Sequence, residues 1–148
     1  MRNRGIELLE TVHAFHRQRR EQCEALEVER CNEPLRAFIE YFQESETHCE
    51  TVVAAYQSRP GNNTSKRVFR YPPEETPLEF IEDIDMHPHM SAEEVMVHVV
   101  RQQNRLVAWL EDLASQITAD SVEEDFRRLA DFEQNMAKKL ARSNASLT

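Results

Sequence analysis

Four stretches of this chain place apolar and small residues at helical spacing, and two short links and one long one separate them. In the first, Leu9, Val12, His16, Cys23 and Leu26 share a face that Arg19 or Arg20 interrupts. The second carries Leu35, Phe38, Ile39, Phe42, Glu46, Cys49, Val53 and Tyr56. The third carries Met96, Val99, Gln103, Leu106, Leu110 and Leu113, and the fourth Phe126, Leu129, Glu133, Met136 and Leu140. Only 2 glycines occur in 148 residues, too few for the tight turns of a sheet. The pattern therefore predicts an all-α chain, a single domain over residues 1–148, with helices at about 6–27, 35–58, 92–117 and 121–143.

Local signals support those boundaries. Pro34 suits the first turn of the second helix, where its missing N–H costs nothing, and the Pro-Gly-Asn cluster in SRPGNNTSK stops that helix. The long link, residues 59–91, has no sustained period; VFRY is expected to be extended, and TPLEF to form a short turn capped by Thr76 and Glu79. Residues 71–100 hold 8 acids and no Lys or Arg, which reads as a solvated connection. Ser91 with Glu94, and Asp120 with Glu123, are capping boxes that open the third and fourth helices. Lys138, Lys139 and Arg142 near the end of the fourth suit its negative dipole end.

Helices of about 22 residues are each roughly 33 Å long. Short links make the first and second helices, and the third and fourth, antiparallel neighbours. The long link can travel the whole bundle, so the third helix can start from the end opposite to where the second stops. The expected fold is an antiparallel four-helix bundle built as two helical hairpins joined by a long crossover.

A formal net charge of −9 argues against a nucleic-acid partner, because phosphate neutralisation needs surplus Lys and Arg. The basic run HRQRR, His16 to Arg20, reads as a solvated face. Cys23, Cys31 and Cys49 form no Cys-x-x-Cys pair and suggest a reducing compartment. No apolar run is long enough to span a membrane, and MRNRGIE lacks the apolar core of a signal peptide, so no membrane role and a cytoplasmic location are expected.

Each stripe also carries a polar residue near its middle: His16, Glu46 beside Cys49, Gln103, and Glu133 beside Met136. Isolated polar groups are costly in a packed interior, so several at one level imply a shared layer. The helix order, the crossover and the segments YFQESETHCETV, VVRQQNRLVAWLEDLA and RRLADFEQNMAKKLAR together resemble the ferritin-like superfamily. The likeness is closest to rubrerythrin-type domains, among them short bacterial proteins of unassigned activity. That resemblance implies a layer holding a di-iron site, with a Glu from the first and third helices and Glu-x-x-His from the second and fourth.

Carried over residue by residue, the resemblance puts Glu46 and Glu133 at the bridging positions, Cys49 and Met136 where the His ligands would be, Gln103 in place of one Glu and His16 in place of the other. Two carboxylates cannot neutralise two closely spaced ions in low dielectric, so loss of the di-iron site is expected. Two readings of the layer remain. In one, His16 and Gln103 donate to Glu46 and Glu133 and one carboxyl keeps its proton. In the other, His16, Glu46 and Glu133, with or without Cys49, hold one divalent ion such as zinc or iron.

Other features carry weaker chemistry. In MHPHM, an extended run would put His87 and His89 on one side, an incomplete metal site, with Met86 and Met90 over the bundle end. A turned second helix would bring His48 inward, and Trp109 is expected to cover the core edge. No nucleophile with its base and no phosphate loop is present. The expected function is thus a structural or interaction protein, not an enzyme, working as a homodimer or with a protein partner. The alternatives are a metal-handling protein or oxidoreductase with a reduced site, and a regulator switched by oxidation of its cysteines.

Overall fold

A computed structural model describes residues 5–59, 73–81, 86–117 and 120–147, and the side chains of all these but 120–121 and 144–147. The chain is all-helical, as expected. Four long helices are present: α1 Gly5–Glu24, α2 Glu33–Gln57, α3 Ala92–Gln116 and α4 Asp120–Leu147. Short 3-10 turns at Val28–Arg30 and Pro77–Phe80 lie in the connections. The VFRY segment falls outside the described residues.

The ends follow from local chemistry. Asn32 caps α2 by accepting the Leu35 N–H at 2.9 Å, so the helix opens two residues before the expected start, with Pro34 in its first turn. Ser91 Oγ accepts the Glu94 N–H at 3.1 Å and opens α3. The Thr76 N–H donates to Glu79 Oε2 at 2.6 Å over the short turn that TPLEF was expected to make. α1 stops at Glu24, earlier than the expected Glu27, because the Leu26 N–H bonds back to the Cys23 carbonyl at 3.1 Å. That tightening lets Leu26 and Cys31 turn inward, both buried. α4 continues past the expected residue 143 to Leu147.

Packing is densest within each hairpin, α1 on α2 and α3 on α4. The apolar core is divided in two. One cluster joins Leu8, Leu9, Val12 and Phe15 of α1 to Val53 of α2, Leu106, Leu110 and Leu113 of α3 and Phe126 and Leu129 of α4. The other joins Cys23 and Leu26 to Leu35, Phe38, Ile39 and Phe42, to Val95, Met96 and Val99, and to Leu140. α1 thus starts in the first cluster and ends in the second, and α2 returns. α3 starts in the second cluster, at the far end from where α2 finishes, so the α2–α3 connection carries the chain back along the bundle. Along that path Phe80 joins the first cluster and Met90 the second, with Met86 packed against it. Each fully buried Leu, Ile or Phe side chain contributes about 1.5–3 kcal/mol of hydrophobic free energy.

Trp109 covers the core edge as expected; its Nε1 donates to the Glu75 carbonyl at 2.9 Å. The MHPHM segment is a turn and not an extended run: the Met90 N–H bonds to the His87 carbonyl at 3.1 Å, and the exposed His87 and His89 rings stand 6.4 Å apart. Proline at position 88 with a closing hydrogen bond around it explains the difference. No described helix is long and apolar enough to cross a membrane.

Candidate functional site

Between the two apolar clusters lies a layer of buried polar side chains, one or two from each helix. His16 and Glu133 are 0% exposed, and Arg19, Glu46 and Gln103 each 1%. Helical spacing supplies the arrangement. Glu46 falls four residues after Phe42, and Glu133 four after Leu129, so each carboxylate extends an apolar stripe into the middle of the bundle.

The His16 ring bridges the two carboxylates. Its Nδ1 meets Glu46 Oε2, and its Nε2 lies 2.6 Å from Glu133 Oε2. The second oxygen of Glu46 is 2.9 Å from the NH2 nitrogen of Arg19, off the line of a well-formed hydrogen bond, so this contact is ionic. The second oxygen of Glu133 accepts from Gln103 Nε2 at 2.7 Å, and the same amide donates to the Glu133 carbonyl at 3.0 Å. Arg19 NH1 reaches Gln103 Oε1 at 3.4 Å, and Cys49 Sγ is 4.0 Å from Glu133 Oε1. The Arg19 guanidinium lies 4.7 Å from the Phe15 ring centroid and 4.9 Å from that of Phe42, a pair of cation–π contacts that offsets part of its lost hydration.

The electrostatics follow from that geometry. Burial by itself lowers the His16 pKa, but the charges of Glu133 and Glu46, and its hydrogen bonds to both, outweigh burial and raise it from 6.5 to about 10. Burial favours a neutral Glu46, yet Arg19 and His16 hold its carboxyl below the usual carboxylate range. The expectation of a protonated carboxyl therefore fails for Glu46, because sequence reasoning left Arg19 out of the layer. Two cations face two carboxylates, and the layer is electrically balanced by side chains alone.

Arg19 is the residue that sequence reasoning missed. HRQRR is not a uniformly solvated face: Arg17 and Gln18 are exposed, while His16 and Arg19 point inward. The available signal was spacing, since Arg19 follows His16 by three residues and the aromatic Phe15 by four. The layer expected of His16, Gln103, Glu46 and Glu133 is present, with His16 facing both carboxylates and Gln103 donating to Glu133. Met136 is buried nearby on α4. His48 stays on the outside of α2, edge-on to Phe132 at 5.5 Å.

A di-iron centre does not fit these residues. All four carboxylate oxygens already face a donor or cation, both imidazole nitrogens face carboxylates, and a guanidinium stands within the layer. The atoms best placed for a single ion belong to His16, Cys49 and Glu133, all within 4.8 Å of one another; Glu46, expected with them, meets the other His16 nitrogen with one oxygen and Arg19 with the second.

The cysteines are free and buried. Burial, then the charge of Glu46, pushes the Cys23 thiol up to about 12. Burial and the charges of Glu133 and Glu46 push Cys49 up further. Neither is a ready thiolate. The surface grooves between α1 and α2, lined by residues such as Arg20, Glu24 and Gln43 or His13, Glu50 and Thr51, include no side chain of the layer.

Comparison with known proteins adds no relative: no protein family, curated protein or solved structure matches this chain.

Proposed function

We propose that this chain is a ferritin-like helical bundle that has exchanged its metal site for an internal ion-pair layer and acts as a structural or interaction protein. One observation carries the reading: the His16 ring stands between Glu46 and Glu133, the two residues at the bridging positions that the resemblance implies, and the Arg19 guanidinium pairs with the other oxygen of Glu46. The paired hairpins and the chain's return along the bundle before α3 support the ferritin-like arrangement. His16, Glu46, Gln103 and Glu133 are engaged with one another or with Arg19, and neither surface groove between α1 and α2 includes a side chain of the layer. A partner or a second copy would meet the outside of the bundle, where Tyr41 and Val97 are exposed apolar side chains.

The second reading rests on the proximity of His16, Cys49 and Glu133, a nitrogen, sulfur and oxygen set of the kind zinc accepts. Metal analysis of protein purified without chelator and without a His tag separates the two. The scaffold reading expects no stoichiometric ion. A tightly held ion that disappears in Cys49→Ala and Glu133→Ala variants establishes the metal-handling reading instead. Light scattering across a dilution series then asks whether a dimer forms, and whether Val97→Glu or Tyr41→Glu abolishes it.

A further inference from the structure

Five polar contacts that join the two hairpins share one direction. Near the end of the bundle that holds the start of α2, Asn32 Nδ2 donates to the Met90 carbonyl at 2.9 Å. In the middle, His16 Nε2 faces Glu133 Oε2 at 2.6 Å, Arg19 NH1 donates to Gln103 Oε1 at 3.4 Å, and Cys49 Sγ faces Glu133 Oε1 at 4.0 Å. Near the opposite end, Arg59 Nε pairs with Asp125 Oδ2 at 2.9 Å. In each, the donor comes from the α1–α2 hairpin or its flanks, and the acceptor from the α3–α4 hairpin or the residue leading into it.

The charges of the layer follow the same division. The first hairpin contributes Arg19, His16 and Glu46 to the layer, and the second contributes Glu133. Both His16 nitrogens face carboxylate oxygens, so two hydrogen bonds there require a proton on each nitrogen. Within the layer, α1–α2 therefore contributes one surplus positive charge and α3–α4 one surplus negative charge.

We propose that this one-way pairing selects the partner of each hairpin, so that an α1–α2 face accepts an α3–α4 face and rejects a copy of itself. Two α1–α2 hairpins face to face would bury two surplus cations, and two α3–α4 hairpins two unmatched carboxylates. Uncompensated buried charge is strongly disfavoured. The apolar clusters at the two ends cannot discriminate in this way, because hydrophobic contact is non-directional. The layer thus acts as a specificity device, a role distinct from the absence of metal argued above and independent of any outer partner.

The test uses the full-length chain with the whole layer made apolar: His16→Leu, Arg19→Met, Glu46→Leu, Gln103→Leu and Glu133→Leu together. The expected protein stays helical by circular dichroism but populates more species than the wild type, seen as additional peaks by size exclusion with light scattering and as several backbone amide resonances per residue. A single species with one set of resonances, like the wild type, overturns the proposal. Should that variant lose its helices, a cycle of His16→Gln, Glu133→Gln and the pair decides. The double variant is expected to retain about tenfold more of the folding equilibrium constant than the product of the two single losses. Losses that simply multiply overturn the proposal.

Discussion

The ends of the bundle and the layer between them are buried alike but held by different physics. Leu8, Leu110 and Phe126 at one end, and Ile39, Val95 and Leu140 at the other, are within 1% of fully buried, as are His16, Arg19, Glu46, Gln103 and Glu133 in between. At the ends the interaction scales with apolar area and has no preferred partner. In the layer each group depends on particular neighbours, and removing one leaves another's charge stranded. The difference teaches that equal burial does not mean equal tolerance: the ends accept graded change, and the layer accepts change only when it is matched.

The sharpest way to break that comparison is Arg19→Met, which keeps much of the side-chain volume and removes the charge. Glu46 then keeps only His16, and the loss expected in urea unfolding is about 3–5 kcal/mol. A loss below about 1 kcal/mol would mean that the contact at 2.9 Å contributes little and that the layer behaves like the ends. Leu110→Ala, at an apolar end, is expected to cost about 2–5 kcal/mol through lost burial and cavity formation. Its cost should not change with pH, whereas that of a layer variant should.

That pH dependence is the next measurement. His16 has its pKa raised from 6.5 to about 10 in the folded chain. Its contribution is complete below pH 6.5 and disappears as pH rises through about 10. Glu46 has a folded pKa below 4.5, so its contribution is present above pH 4.5 and is lost as pH falls through the lower folded value. Thermal melts of the wild type should therefore fall on the alkaline side, and His16→Gln should flatten that limb relative to the wild type. An alkaline limb unchanged in His16→Gln would assign it to surface groups.

Thiol chemistry compares the regions in a different way. Cys23 belongs to an apolar end and Cys49 touches the layer, yet burial protects both. A thiol reagent should modify them only as fast as the bundle opens, with the rate rising in step with urea. Fast modification in native buffer would instead support redox switching. The smallest effect is expected from Arg59→Ala: the guanidinium is half-exposed even though Asp125 is buried, so the change should cost no more than about 1 kcal/mol.

Much of this architecture was legible in the residues themselves. Apolar spacing gave the four stripes, and every stripe residue from Leu9 to Leu140 is buried except Tyr56, which is half-buried. Pro34, Ser91 and Thr76 announced their turns because helix-start signals are local, whereas the cap at Asn32 emerged only with the structure. The polar layer was legible from His16, Glu46, Gln103 and Glu133 in mid-stripe. What local pattern could not supply was the company each kept. An arginine on a stripe reads as an interruption, and only the approach of Phe15, Phe42 and Glu46 from two helices turns Arg19 into an interior cation. The end of α1 was misplaced for a similar reason, since the tertiary burial of Leu26 and Cys31 decides where the chain turns.

The central claim is that positively charged side chains of the chain itself balance Glu46 and Glu133. Nitrogen-15 NMR of the His16 ring in tag-free protein at pH 8, with and without added zinc, tests it most directly. The account predicts a doubly protonated imidazole in both samples, unchanged by the metal. A neutral tautomer at pH 8, or a ring nitrogen whose resonance moves on adding one equivalent of zinc, would contradict it.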